Sequence, residues 1–168
     1  MVNIVGLGSK RDREAIELAT RAGTFIPNVR RREQPPARMK AAWDLWKEKH
    51  SIVPRSHSSS YNCMGMVFGS RRTCVEPDSL GMILREDGFR KISISEAVLG
   101  DIVVYRDGSG GFAHVGLVLS KAADIELASW KVEVLSQWGA DGEYFHEAYD
   151  VPHLLGKPQE YWTERRTL

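Results

Sequence analysis

Met39, Ala42, Trp43 and Trp46 recur at i, i+3, i+4 and i+7 between lysines and glutamates, which predicts a helix over about 36–50 with one face on a core. Upstream, Ala15, Ile16, Leu18 and Ala19 fall near one face after Ser9 and Asp12, predicting a capped helix from Ser9 that ends near Gly23. Residues 24–36 hold Pro27, Pro35 and Pro36 and read as a connector. Residues 51–60 are polar and serine-rich and read as a loop. Asn62 is a good cap for a helix running from Cys63 to Ser70 or Arg71. A further short helix is expected over 79–86, with Asp78 as its cap and Gly88 after it.

Past residue 90 the period shortens. Residues 91–95, 101–106, 114–120, 125–128, 132–138 and 144–147 read as short strands, and 107–111 as a hairpin loop. Helices followed by adjacent strands predict an α+β domain, N-terminal helices packed on a mainly antiparallel sheet. The C-terminal run 160–166 adds a short helix or an edge segment. The expected organisation is one domain over 1–168: a helical N-terminal extension (1–60), a core (61–150) and a C-terminal segment (151–168).

Composition narrows the class. A chain of 168 residues suits one sizeable core, and 42% hydrophobic with 27% charged residues is ordinary for a globular protein. A net charge of +1 gives no field to recruit nucleic acid or an anionic membrane, so neither is expected as a partner. Arg30, Arg31, Arg32 and Arg38 form a small basic cluster, read as a solvated patch. No apolar stretch is long enough for a membrane span and no signal peptide is visible, so the expected compartment is the cytoplasm. Cys63 and Cys74 cannot make a disulfide framework, and a bridge between them would consume the more interesting thiol. His50, His57, His146 and His153 show no metal-ligand spacing, and no metal or cofactor is expected.

Cys63 is the chemical focus. At the start of a helix, free backbone N–H groups and the helix dipole favour a thiolate. His114 opens the apolar run 114–119, which reads as a strand. A cysteine at a helix start and a histidine on a following strand are the minimal parts of a nucleophile with its base.

Tyr61-Asn62-Cys63-Met64-Gly65-Met66-Val67 resembles the first motif of the NlpC-type papain-like cysteine peptidases, aromatic-Asp-Cys-Ser-Gly-Leu-Val. Gly100-Asp101-Ile102-Val103, followed after a loop by His114-Val115-Gly116-Leu117, resembles their second, Gly-Asp-Leu-Val and then His-Val-Gly-Ile. The similarity covers about 61–150, with Asn62 and Met64 standing where the family usually has aspartate and serine. It implies a papain-like fold with Cys63 as nucleophile, His114 as general base and acid, and Tyr61 as a second oxyanion donor beside the Cys63 backbone. The family's third polar residue, often a histidine, lies on the strand after the histidine strand. Gln137, Ser136 and His146 are the candidates here, Gln137 slightly ahead. The implied activity is hydrolysis of an amide or isopeptide bond through a thioester. The substrate would be a peptide, a peptidoglycan-like amide or a protein, reached inside the cell, through a secretion machine or as a phage product. Acyl transfer or deamidation by the same pair, and a catalytically silent binding domain, are the alternatives.

Overall fold

The computed structural model describes residues 15–125 and 128–166. The strands are β1 (Asn28–Val29), β2 (Val53–Ser56), β3 (Cys74–Val75), β4 (Arg90–Ile92), β5 (Ile102–Arg106), β6 (Phe112–Asp124), β7 (Ser129–Gln137), β8 (Glu143–Glu147) and β9 (Lys157–Thr163). The helices are α1 (Pro36–Lys49), α2 (Cys63–Phe68) and α3 (Leu80–Glu86). Seven strands form one sheet in the order β2-β8-β7-β6-β5-β9-β4, and every neighbouring pair is antiparallel. β1 and β3 make a separate small ladder. The chain is therefore α+β with a mainly antiparallel sheet, as the change of period predicts.

Both faces of this sheet are covered. Ile102, Val104 and Val115 point to one side, where they pack with Met64 of α2 and Leu80, Ile83 and Leu84 of α3. Val103, Tyr105, Val118, Val132 and Val134 point to the other, where Trp43 and Trp46 of α1 close over them. Burial on both sides explains why β5 reads as a continuous apolar run rather than as an alternation.

Several expectations are corrected. Of the helix expected from Ser9, residues 9–14 lie outside the described residues, and 15–23 are not helical. Asn28 bonds both the N–H and the carbonyl of Ile16, and the chain doubles back through Gly23 (φ 87°) to bridge Ala19 with Phe25. Residues 53–56 are not loop but an edge strand paired with β8, so the N-terminal segment contributes to the main sheet and is not a purely helical extension. Of 125–128, residues 126 and 127 lie outside the described residues, while Ile125 and Ala128 belong to the turn joining β6 to β7. Asp78 does not cap α3; it lies in the 3-10 turn Pro77–Ser79 that leads into the helix. Residues 157–163 form an interior strand, inserted between β5 and β4.

α2 is fixed by its sequence. Asn62 Oδ1 accepts from Gly65 N–H (2.8 Å) and Val75 N–H (3.1 Å), while its Nδ2 donates to Val75 O (2.9 Å). Aspartate could cap the helix but could not make that donation, so asparagine ties α2 to β3 at this position. At Gly65 a Cβ would lie 1.7 Å from Thr73 O, so the backbone just before β3 lies directly on the helix. Gly65→Ala should force α2 and β3 apart and lower the unfolding free energy by about 1–3 kcal/mol. Urea denaturation checks this; an unchanged midpoint would contradict the packing.

Candidate active site

Cys63 opens α2 and remains partly exposed. The β6–β7 ladder begins at Leu117–Leu135, so the first residues of β6 pair only with β5. Val118 N–H bonds Asp101 O on the β5 side, and by alternation Val115 N–H faces the side where β7 has diverged. The Cys63 sulfur occupies this open end of the seam, where N–H groups of Val115, Met64 and Cys63 itself favour its thiolate. Burial is the larger effect and pushes the thiol up to about 11. The thiolate expected from the helix terminus is thus reversed: desolvation outweighs a helix of six residues. Both cysteines are free, with Cys74 buried.

His114 is 1% exposed. It stands directly opposite Tyr105 on β5, their ring centroids 5.2 Å apart, and leaves β6 on the face opposite Val115. The structure thus brings the sulfur to the backbone of the neighbouring residue. His114 Nε2 is buried and makes no hydrogen bond, to the sulfur or to any other described group. Burial, helped by His146, holds the imidazole down at about 3. Thiol and imidazole are both neutral at physiological pH.

The three candidates for the group behind His114 divide by face. Gln137 pairs with Glu143 on the α2 side, and its Nε2 donates to Ser58 O (3.0 Å) and Gly139 O (2.9 Å). It does not orient His114, which corrects the preference drawn from the sequence. Ser136 and His146 share the face of His114 but bond each other, Oγ to Nε2 at 2.7 Å. His146 Nδ1 donates to Glu147 O (2.8 Å), so its Nε2 is the acceptor and the Ser136 hydroxyl the donor. Trp138 Nε1 in turn donates to Ser136 Oγ (3.1 Å). Burial pushes His146 down to about 4. Gly116 makes room for this layer, since a Cβ there would come 2.5 Å from Val134 Cγ1 and 3.1 Å from Ser136 Cβ. The alternation Val134, Ser136, Trp138 against Leu135, Gln137 carried this division and is readable in the sequence. Tyr105 and Tyr161 were missed; they lie on the His114 face, their hydroxyls buried without hydrogen-bond partners among the described residues.

Tyr61 is not free to serve as an oxyanion donor through its hydroxyl. That group donates to Glu143 (2.8 Å), a fully buried carboxylate that also receives Arg71 Nε (2.6 Å) and Arg55 Nη1 (2.5 Å). Burial raises the phenol to about 12, so it stays a donor. Asp101, the aspartate of the Gly-Asp motif, anchors structure: it accepts from Val98 N–H and from Arg165 near the C-terminus. The hairpin loop 107–111 is held by Asp107, which accepts from Ser109 N–H, Ser109 Oγ and Gly111 N–H.

Among the described residues, no cluster of His, Cys, Asp or Glu could hold a metal ion, and no helix is long and apolar enough to cross a membrane. Comparison with protein-family models, curated proteins and solved structures finds no match. The chain is an α+β domain with a partly exposed thiol at a strand seam and a buried neutral histidine on the opposite face of the same strand.

The two depressed histidines make stability pH-dependent. Unfolding returns them to their ordinary value of 6.5, so the unfolded chain takes up protons that the folded chain refuses. Stability should be full above pH 6.5 and fall as pH drops toward about 4 and about 3. By pH 5.5 the slope should approach about two protons, or ~2.7 kcal/mol per pH unit. Chemical denaturation between pH 7.5 and 5.5 measures it; a flat profile would mean that neither imidazole is buried neutral.

Proposed function

We propose that the chain is a cysteine hydrolase of the papain-like, NlpC-type class, cleaving an amide or isopeptide bond. The observation that carries this reading is the seat of the Cys63 sulfur: at the start of α2, against backbone N–H groups, one residue along β6 from His114. His114 takes the thiol proton as the sulfur attacks the carbonyl carbon. N–H groups at the start of α2 face the oxyanion. His114 then protonates the departing amine, leaving a thioester on Cys63, and water releases the acid. Transfer from a thiol near 11 to an imidazole near 3 is strongly uphill, so in this reading it accompanies attack rather than preceding it. His114 leaves β6 on the face opposite the one on which Cys63 packs, so this reading also requires substrate binding to turn over the start of β6 and bring the ring to the sulfur.

The missing sulfur–Nε2 hydrogen bond and the raised thiol favour a second reading, a catalytically silent domain of the same fold. The two readings separate in a turnover experiment. Pools of synthetic peptides, including branched isopeptides and peptidoglycan stem peptides, are incubated with the chain and read by mass spectrometry. The hydrolase reading predicts cleavage that falls by about 10²–10⁴ in Cys63→Ala and in His114→Gln. Thermal melting should show both variants folded. Absence of cleavage by the wild type, or cleavage that survives Cys63→Ala, would favour the silent domain.

A further inference from the structure

On the α2 side of the sheet a cavity of about 420 Å³ opens beside α3. Its walls are Leu80 and Leu84 of α3, Phe89, Phe112 of β6 and Trp162 of β9. These side chains belong to the apolar cluster against which Cys63 packs, and Phe112 stands two residues before His114. The cavity thus borders the apolar cluster that also holds Cys63, although Cys63 is not on its wall.

Three aromatic rings and two leucines around one concavity can surround a flat apolar group on several sides, with edge-to-face contacts between rings. Two cations, Arg85 and Arg106, also line it. Arg106 is held by Glu160, whose carboxylate also takes Trp162 Nε1. Guanidinium groups beside an apolar cavity favour an aromatic occupant over an aliphatic one of equal size, through cation–π attraction. One carboxylate, Asp78, also lines the cavity, so the two guanidinium groups leave a net excess of one cation on its wall.

We infer that this cavity is the specificity pocket for an aromatic side chain of the substrate. This rests on the hydrolase reading for its link to Cys63, but the pocket can be tested apart from it. Gly81 lies in α3 on the cavity wall, and a Cβ added there meets nothing within 4 Å. Gly81→Leu should therefore fill the cavity from the helix without disturbing the fold, since leucine is a better helix former than glycine.

Two measurements follow. In the first, N-acetyl-L-phenylalanine amide and N-acetyl-L-lysine amide are titrated into Cys63→Ala protein and followed by methyl NMR. The phenylalanine compound should shift Leu80 and Leu84, the lysine compound should not, and Gly81→Leu should weaken binding at least about tenfold. In the second, peptide pools are cleaved by the wild type and by Gly81→Leu. Preference for aromatic residues at one substrate position should fall at least about tenfold, while turnover of peptides with alanine there persists. If phenylalanine amide binds and Gly81→Leu excludes it, yet no peptide is cleaved, the pocket stands and the hydrolase reading falls. If peptides are cleaved without aromatic preference and Gly81→Leu changes nothing, the pocket inference is overturned and the hydrolase reading stands. Absence of phenylalanine amide binding to the folded protein also overturns the inference.

Discussion

The buried carboxylate of Glu143 holds the site-bearing helix in place. It is fully enclosed at the start of β8 and receives Tyr61 from just before α2, Arg71 from just after it and Arg55 from β2. Both flanks of a helix too short to be stable alone are thereby fastened to the sheet. The turn after α2 carries Ser70 and Arg71 at positive φ (52° and 62°), a conformation that L-residues adopt at a cost. The ion pair from Arg71 offsets it. Losing Glu143 would leave two partly exposed guanidinium groups and the Tyr61 hydroxyl facing one another without their shared acceptor. Asn62 and Gly65 finish the placement by locking α2 to β3.

With α2 fixed, the chemistry follows from the sheet. Helices cover both faces, so polar groups on the inner strands are desolvated. Cys63 is driven toward its thiol form and His114 and His146 toward their neutral forms by one cause, burial. Ser136, His146 and Trp138 satisfy one another, whereas His114 Nε2 and the hydroxyls of Tyr105 and Tyr161 find no partner among the described residues. An unfilled imidazole nitrogen within such a layer is costly. It is the polar atom whose missing partner bears most directly on the proposed reaction.

Much of the fold was legible in the sequence. The stripe Met39, Trp43, Trp46 marks α1, and the shift to short apolar runs marks the sheet. What was illegible depends on distant partners. Residues 15–23 carry helical spacing but are held extended by Asn28, twelve residues beyond Ile16. Val53–Ser56 contains a proline and two polar residues, and it is a strand only because β8 offers an edge. β9 (KPQEYWT) shows no regular alternation in its sequence, and its insertion between β5 and β4 is set by long-range pairing. At the site, Cys63 and His114 were legible as neighbouring elements. Choosing Gln137 over Ser136 ignored the face to which each residue points.

The central claim is that Cys63 attacks with help from His114. Its most direct test is covalent capture of Cys63 by a peptidyl acyloxymethyl ketone carrying phenylalanine, followed by intact mass and peptide mapping. The account predicts one equivalent bound at Cys63 and none at the buried Cys74. It also predicts a rate at least about a hundredfold lower in folded His114→Gln protein. Capture at an unchanged rate in His114→Gln, or no capture by the wild type, would contradict it.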